Sequence, residues 1–334
     1  MRWLGTLGVV LLALPSLSQA ADVDAAEQRA ALEHSIELIE TRYVGTQHID
    51  RLTAVLRALA LELDQERDGE EFAAMVTQRL REASGDGHLG LSYSEQPIAD
   101  PVEGGEQLTL NDDFEEWYGA GVNNGVQKIE RLEDNVMLLD LRVFPPPSMG
   151  AETIAAAMNT VAQGDALIID LRKNGGGAET VLLVMGYLVE PGSPFMSTYN
   201  RPRDEWTHES VPAWVPGKRF GSDKPLYILT SRRTFSAAEA LAYSLQAMGR
   251  ATIVGEVTGG GAHPFEYRKV STHFALDLPE AMSRHPLTGT NWQDVGVKPD
   301  VEVPREEALE VALRLAREEI RGRSASGSDL RSLP

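Results

Sequence analysis

The chain has 334 residues, 42% of them hydrophobic, which is enough for one large domain or two modest ones with a filled core. A formal net charge of −19 at pH 7 argues against nucleic acid or an anionic membrane as the main partner. The absence of cysteine excludes disulfides, cysteine nucleophiles and thiolate metal sites.

The first residues read as a targeting segment. Met1-Arg2 supplies a positive start, and Leu4 to Leu14 is an apolar run too short and too poorly flanked to cross a bilayer. Ser18-Gln19-Ala20 is a small-x-small cleavage signal, so cutting after Ala20 and export to the periplasm or the medium are expected. No cysteine follows the apolar run, which excludes a lipid anchor on cysteine.

Helical spacing of apolar residues predicts helices over Ala25 to Tyr43, over Arg51 to Leu63 with Asp50 as its cap, and over Glu70 to Glu82. Next comes Ser84-Gly-Asp-Gly-His88, a glycine-flanked turn that sets His88 at the entrance of a strand ending near Tyr93. A lone histidine here fits a structural or exposed role as well as a functional one. Gln96 to Asp113 reads as a loop. Val122 to Ile129 and Asn135 to Phe144 read as strands, and Pro145-Pro-Pro147 stops the second. A helix follows from Met149 to Ala162.

Ala166-Leu-Ile-Ile-Asp-Leu171 is a short buried strand that runs into Arg172-Lys-Asn-Gly-Gly-Gly177 and a helix from Glu179 to Leu188. The glycine run lacks the Gly-Lys-Ser/Thr of a phosphate loop and the spacing of a dinucleotide fingerprint. Two readings fit: a cradle of backbone N–H groups for an oxyanion, or a tight strand-to-helix turn. Pro191 to Asp223 reads as a long irregular segment carrying Tyr199, Trp206, Trp214 and Phe220, either a binding loop or a cover for the core.

Pro225 to Pro264 reads as strand, turn, helix, strand and glycine loop, with Ser236 at the turn. A serine there stands at the positive end of the helix, lifted out of the sheet, where an acyl-transfer nucleophile belongs. Ser236-Ala-Ala-Glu239 is also a capping box, and the two roles are compatible. Tyr267 to Leu278 alternates as strands, Pro286 to Asp300 is a turn-rich return, and Glu306 to Ile320 closes the chain as a helix. His263 and His273 stand apart from any carboxylate pair in the sequence, and no metal-ligand spacing is present. The expected organisation is a signal peptide (1–20), a helical subdomain (21–95), an α/β core (96–320) and a flexible tail (321–334).

Four segments stand in one order: Asp86-Gly-His88; Asp170-Leu-Arg-Lys-Asn-Gly-Gly-Gly177; Thr234-Phe-Ser-Ala-Ala-Glu239 with Gly255-Glu-Val-Thr-Gly-Gly-Gly261; and Gly296-Val-Lys-Pro-Asp300. Together they resemble the serine peptidase family of tail-specific C-terminal-processing proteases, tricorn core peptidases and interphotoreceptor retinoid-binding protein modules. The resemblance covers nearly the whole mature chain. It implies a ClpP/crotonase-like core of ββα units with an N-terminal helical subdomain, no cofactor, and a peptide or unfolded protein as substrate. Tail-specific members use a serine–lysine dyad, and the position matching that lysine is Gly261. The stretch after His88 has no room for the PDZ domain those members carry. The pattern is closer to the tricorn and retinoid-binding branch. In tricorn-type sites a histidine from the N-terminal segment is the base, and an acid near the Gly-Val-x-Pro-Asp motif completes the group; His88 and Asp294 occupy those positions. The tricorn acid is a glutamate, so Asp294 is a shorter substitute.

On this reading Ser236 attacks, His88 takes its proton, and the N–H groups of Ala237 and Gly176 receive the oxyanion. The expected function is an exported serine hydrolase cleaving peptide bonds. The rivals are a non-catalytic module binding an apolar ligand or peptide on the same fold, and a degenerate, purely structural member. A pure binder needs none of Ser236, His88 and the glycine run.

Overall fold

The computed structural model describes residues 22–63, 67–100 and 114–329. The expected signal peptide and most of the 96–113 loop lie outside the described residues.

Three helices open the chain, Ala25–Arg42, Ile49–Glu62 and Gly69–Ser84. The second begins before Asp50, which sits in its first turn; the helices capped by an acid are the first, where Asp24 Oδ1 accepts from the Ala26 amide, and the third, where Asp68 Oδ1 accepts from the amides of Glu70 and Glu71. Leu32, Ile39, Leu56, Phe72 and Leu80 interlock between these helices, and Leu89, Phe274, Leu276 and Leu278 complete the same core. Those last residues sit on or beside an antiparallel sheet in which Phe274–Pro279 pairs with Gly90–Tyr93 on one side and Phe265–Lys269 on the other. The N-terminal helices are thus roofed by strands far along the chain.

The central sheet has six strands in the order Val301–Glu302, Thr252–Gly255, Leu226–Thr230, Ala166–Asp170, Val136–Leu141, Val126–Arg131. All neighbours are parallel except the last pair. Side chains alternate with period two, so each inner strand buries both faces. Leu139, Leu167, Ile169, Ile228 and Ile253 pack with the helices Pro147–Val161, Thr180–Leu188 and Ala237–Ala247. Leu138, Ile168, Tyr227 and Leu229 face Ala308, Ala312 and Ala316 of the closing helix, whose small residues at helical spacing let it lie close to the sheet.

The segment expected to be irregular, 191–223, contains a hairpin instead, with Pro194–Asn200 paired to Glu205–Ser210 and Ala281–Arg284 on its outer side. Asp204, at φ 49°, makes the reversal. Glu205–Ser210 is mostly polar and exposed, so it carries no apolar alternation to read. The strand expected from Val122 starts at Val126 because Asn123 and Asn124 take left-handed conformations before it. The closing helix runs from Ala308 to Asp329, past the expected end at Ile320. No helix among the described residues is long and apolar enough to cross a membrane.

Candidate active site

The parallel strands Ala166–Asp170, Leu226–Thr230 and Thr252–Gly255 deliver their following loops to one edge of the sheet, which is where open α/β sheets place ligands. The loops are tied together. Phe235 N–H donates to Asn174 O (3.1 Å), Thr234 Oγ1 to Leu171 O (2.8 Å), and Gly259 N–H to Thr234 O (2.9 Å).

Ser236 stands at the turn into Ala237–Ala247 with φ 53° and ψ −120°, a conformation costly for a residue with a Cβ. Glu239 holds it there, because its Oε2 accepts from the Ser236 N–H at 2.8 Å. That returning bond is the one expected from the capping box. Glu239 does more than cap. It is fully buried, and it also accepts from Gly261 N–H (2.9 Å), Gly260 N–H (2.7 Å) and Thr258 Oγ1 (2.5 Å). One carboxylate therefore fastens the serine turn to the glycine loop. Burial pushes its pKa up against the pull of these four bonds.

Gly261 occupies the position where the resemblance places a lysine, and the space a side chain would enter is filled. A Cβ there would lie 2.2 Å from Phe235 Cζ and 2.8 Å from His88 Cε1. The His88 imidazole stacks on Phe235 with ring centroids 4.6 Å apart, and on Phe265 at 5.6 Å. It is 8% exposed, and its Nδ1 has no hydrogen-bond partner among the described residues. Burial lowers its pKa to about 4, so the ring is neutral at pH 7. Ser236, His88, Ala237, Gly175, Gly177 and Gly261 all line one cavity of about 1050 Å³.

The oxyanion donors fall out differently from expectation. Gly176 does press on the nucleophile, and a Cβ on it would lie 2.7 Å from Ser236 Cβ. Its N–H, however, donates to Asn174 Oδ1 at 2.8 Å. An amide already bound to a buried side chain is not free for an oxyanion, so the expected donor at Gly176 is corrected. Gly175 and Gly177, on either side, line the cavity with Ala237.

Asp294 is not brought to the imidazole. Its backbone N–H donates to Gly260 O (2.9 Å), which anchors the return segment on the glycine loop, and its Oδ1 accepts from Gln293 Nε2 (2.9 Å). The side chain is exposed and points toward Gly85. The carboxylate beside His88 is Asp86, which is buried and accepts from the His88 backbone N–H (3.0 Å), Tyr43 Oη (3.1 Å) and His263 Nδ1 (2.8 Å). Burial raises the Asp86 pKa, but the His263 bond and the two histidines outweigh it and the net shift is downward. His263 and His273, read in the sequence as standing apart from any carboxylate pair that would make a site, each meet a single carboxylate: Asp86 for His263 and Glu27 for His273 (3.1 Å). Both partners are distant in sequence. Asp86 itself was within reach, since an Asp two residues before a strand entrance makes this kind of turn with the N–H two residues on. No group of histidines and carboxylates among the described residues could hold a metal ion.

Comparison with known proteins follows the same outline. The sequence pattern of the peptidase family S41 matches residues 135–303. A carboxyl-terminal-processing protease of Synechocystis sp. is 40% identical over 96 residues, which cover 29% of this chain and 21% of that protein. The matched stretches span about a fifth of the length of the curated relatives. A solved lipoprotein of Streptococcus agalactiae superposes with a TM-score of 0.60 at 14% identity, covering 95% of this chain and all of that one (100%). The tricorn protease superposes with a TM-score of 0.56 at 13% identity, covering 89% of this chain and 37% of that one. At these identities the superpositions speak to the fold alone.

Proposed function

The chain belongs to the peptidase family S41, and on that premise we propose that it hydrolyses peptide bonds through an acyl-enzyme on Ser236, with His88 as general base. The observation that carries the reading is the occupancy of the space at Gly261. Where the tail-specific members of the resemblance would place lysine, this chain has no side chain, and His88 stands against the vacated position on the same cavity as Ser236. A neutral, buried imidazole is competent to take the hydroxyl proton at pH 7. The proton then passes to the leaving amine, and a water repeats the cycle on the acyl-enzyme.

The Ala237 N–H, at the positive end of the helix, and the main chain of Gly175 or Gly177 serve as oxyanion donors in this scheme. Asp86 replaces Asp294 as the carboxylate that sets His88, acting through the His88 backbone N–H and through its charge. Peptides or unfolded proteins are the substrate class. Export follows from Ser18-x-Ala20 after the apolar run, and N-terminal sequencing of protein from its native host should begin at Ala21.

The test is chemical labelling. A fluorophosphonate probe should modify Ser236, located by peptide mapping, and Ser236→Ala should lose both the label and peptide hydrolysis while folding normally. A wild-type protein that stays unlabelled and inert, yet binds an apolar ligand tightly, would leave Ser236 as a helix cap in a binding module.

A further inference from the structure

The cavity around Ser236 carries charge of one sign. Glu70, Glu95, Glu179, Glu209 and Glu266 line it, and no lysine or arginine does so among the described residues. None of the five is ion-paired among the described residues, although the protein pairs many of its other carboxylates. They come from five separate elements: the start of the third helix, the end of the Gly90–Tyr93 strand, the turn after the glycine run, the outer hairpin and the Phe265–Lys269 strand.

These carboxylates do not by themselves make the cavity a site. The cavity is a candidate site on other grounds: Ser236 at its strained turn, and His88, more than nine-tenths buried with an unpartnered Nδ1. The carboxylates bear on what enters it. The same cavity has an apolar lining that includes Leu182, Phe195, Phe265 and Trp292. A lining of that kind accepts the aliphatic stem of a lysine or arginine while its head reaches a carboxylate. A cleft lined with one sign of charge also raises the local concentration of oppositely charged ligands, and the whole chain, at −19, adds to that field.

We infer that the cavity selects basic peptide segments, bound with lysine or arginine side chains against Glu179 and Glu209, and rejects acidic ones. Glu179 follows the glycine run by two residues and lines the same cavity as Ser236, and Glu209 faces that cavity from the hairpin. The two carboxylates feel one another: partial desolvation and then the Glu179 charge raise the Glu209 pKa. A cation between them relieves that repulsion, whereas a glutamate or aspartate side chain adds to it. This inference rests on the proposed peptidase reading for the site, and its test keeps the two separable.

The experiment measures binding without turnover. Ser236→Ala protein is titrated into a fluorescein-labelled peptide of alternating alanine and lysine, and into its alanine–glutamate counterpart of equal length, with anisotropy as the readout. The lysine peptide should bind at least tenfold more tightly, the preference shrinking as salt is added. Glu179→Gln/Glu209→Gln should cut the preference severalfold, while removing two remote exposed carboxylates, Glu33→Gln/Glu37→Gln, should leave it in place. Equal binding of the two peptides overturns the inference, and so does a preference untouched by Glu179→Gln/Glu209→Gln, which would mark it as a property of the whole surface. Fluorophosphonate labelling of the wild-type protein is read separately. A labelled Ser236 with no charge preference sinks the substrate class alone, and an unlabelled Ser236 with a lysine preference sinks the peptidase alone.

Discussion

His263 Nδ1 lies 2.8 Å from Asp86 Oδ2, a buried contact between residues 177 apart in the sequence. The Asp86 pKa is held low, so its carboxylate accepts and the imidazole nitrogen donates. The other Asp86 oxygen holds the His88 backbone N–H at 3.0 Å. Asp86 thus joins the turn that presents His88 to the loop that leaves Gly261, and the base is placed by a clamp on its main chain.

That clamp predicts an order of severity. Asp86→Asn should lower kcat for peptide hydrolysis by about 10²-fold, while Asp294→Asn, whose carboxylate meets Gln293, should cost less than tenfold. A readout separates positioning from general damage. The Asp86 charge raises the His88 pKa, so removing it should move the acid limb of kcat/KM to lower pH. An unmoved limb would reduce Asp86 to a structural role.

His88 carries the pH dependence. With its pKa lowered to about 4 by burial, the free-enzyme kcat/KM should be flat at neutrality and fall tenfold per unit below about pH 4. A lysine base would place the limb well above neutrality. His88→Ala should lose roughly 10³- to 10⁶-fold, as removal of a triad member does. The same shift bears on folding. Between pH 6.5 and about 4 the unfolded chain binds a proton that the folded one refuses, so stability falls as the pH drops through that window. A His88→Ala protein of full activity would discard the mechanism.

Glu239→Gln tests the knot between the serine turn and the glycine loop. Each Glu239 oxygen receives two donors, so the glutamine NH₂ must face two N–H groups or an N–H and a hydroxyl. Stability should fall by on the order of 3 kcal/mol, read from denaturant midpoints. Fluorophosphonate labelling should slow in parallel, because the φ 53° turn at Ser236 loses its restraint. A variant with unchanged midpoint and labelling rate would show that the turn holds itself.

Asp277, whose partner Ser92 lines the cavity, offers a test of stability apart from the reacting groups. It is half-buried beneath the Ser92 hydroxyl, which donates to it at 2.8 Å, and desolvation pushes its pKa up to about 6. A carboxyl raised above its unfolded value stabilises the fold while protonated and stops doing so as the pH rises through about 6. Asp277→Asn should therefore leave Tm nearly unchanged at about pH 3.5, below the unfolded value of 3.8, and raise it at about pH 8. The gain there should be on the order of 2–3 kcal/mol from a shift of about two units. A Tm difference that does not vary with pH would refute the assignment.

Much of this protein was legible in its sequence because the signals are local. Apolar periods of two and 3.6 marked the buried parallel strands and the amphipathic helices, glycine runs marked the loops at their ends, and Ser236-Ala-Ala-Glu239 marked a helix start with a serine in its cap. The order of those pieces, and the missing side chain at residue 261, pointed to the family and away from a lysine base. Tertiary structure decided what local pattern does not encode: which distant groups share one buried space. It brought Phe235 and His88 into the place a residue-261 side chain would take, and drew Asp86 rather than Asp294 to the histidine. It also bound the Gly176 amide to Asn174, and turned Glu239 from a cap into a junction of two loops. The physical reason is that a buried donor or acceptor must find a partner wherever packing leaves it. Propensity and period fix only the direction in which a side chain leaves its own element.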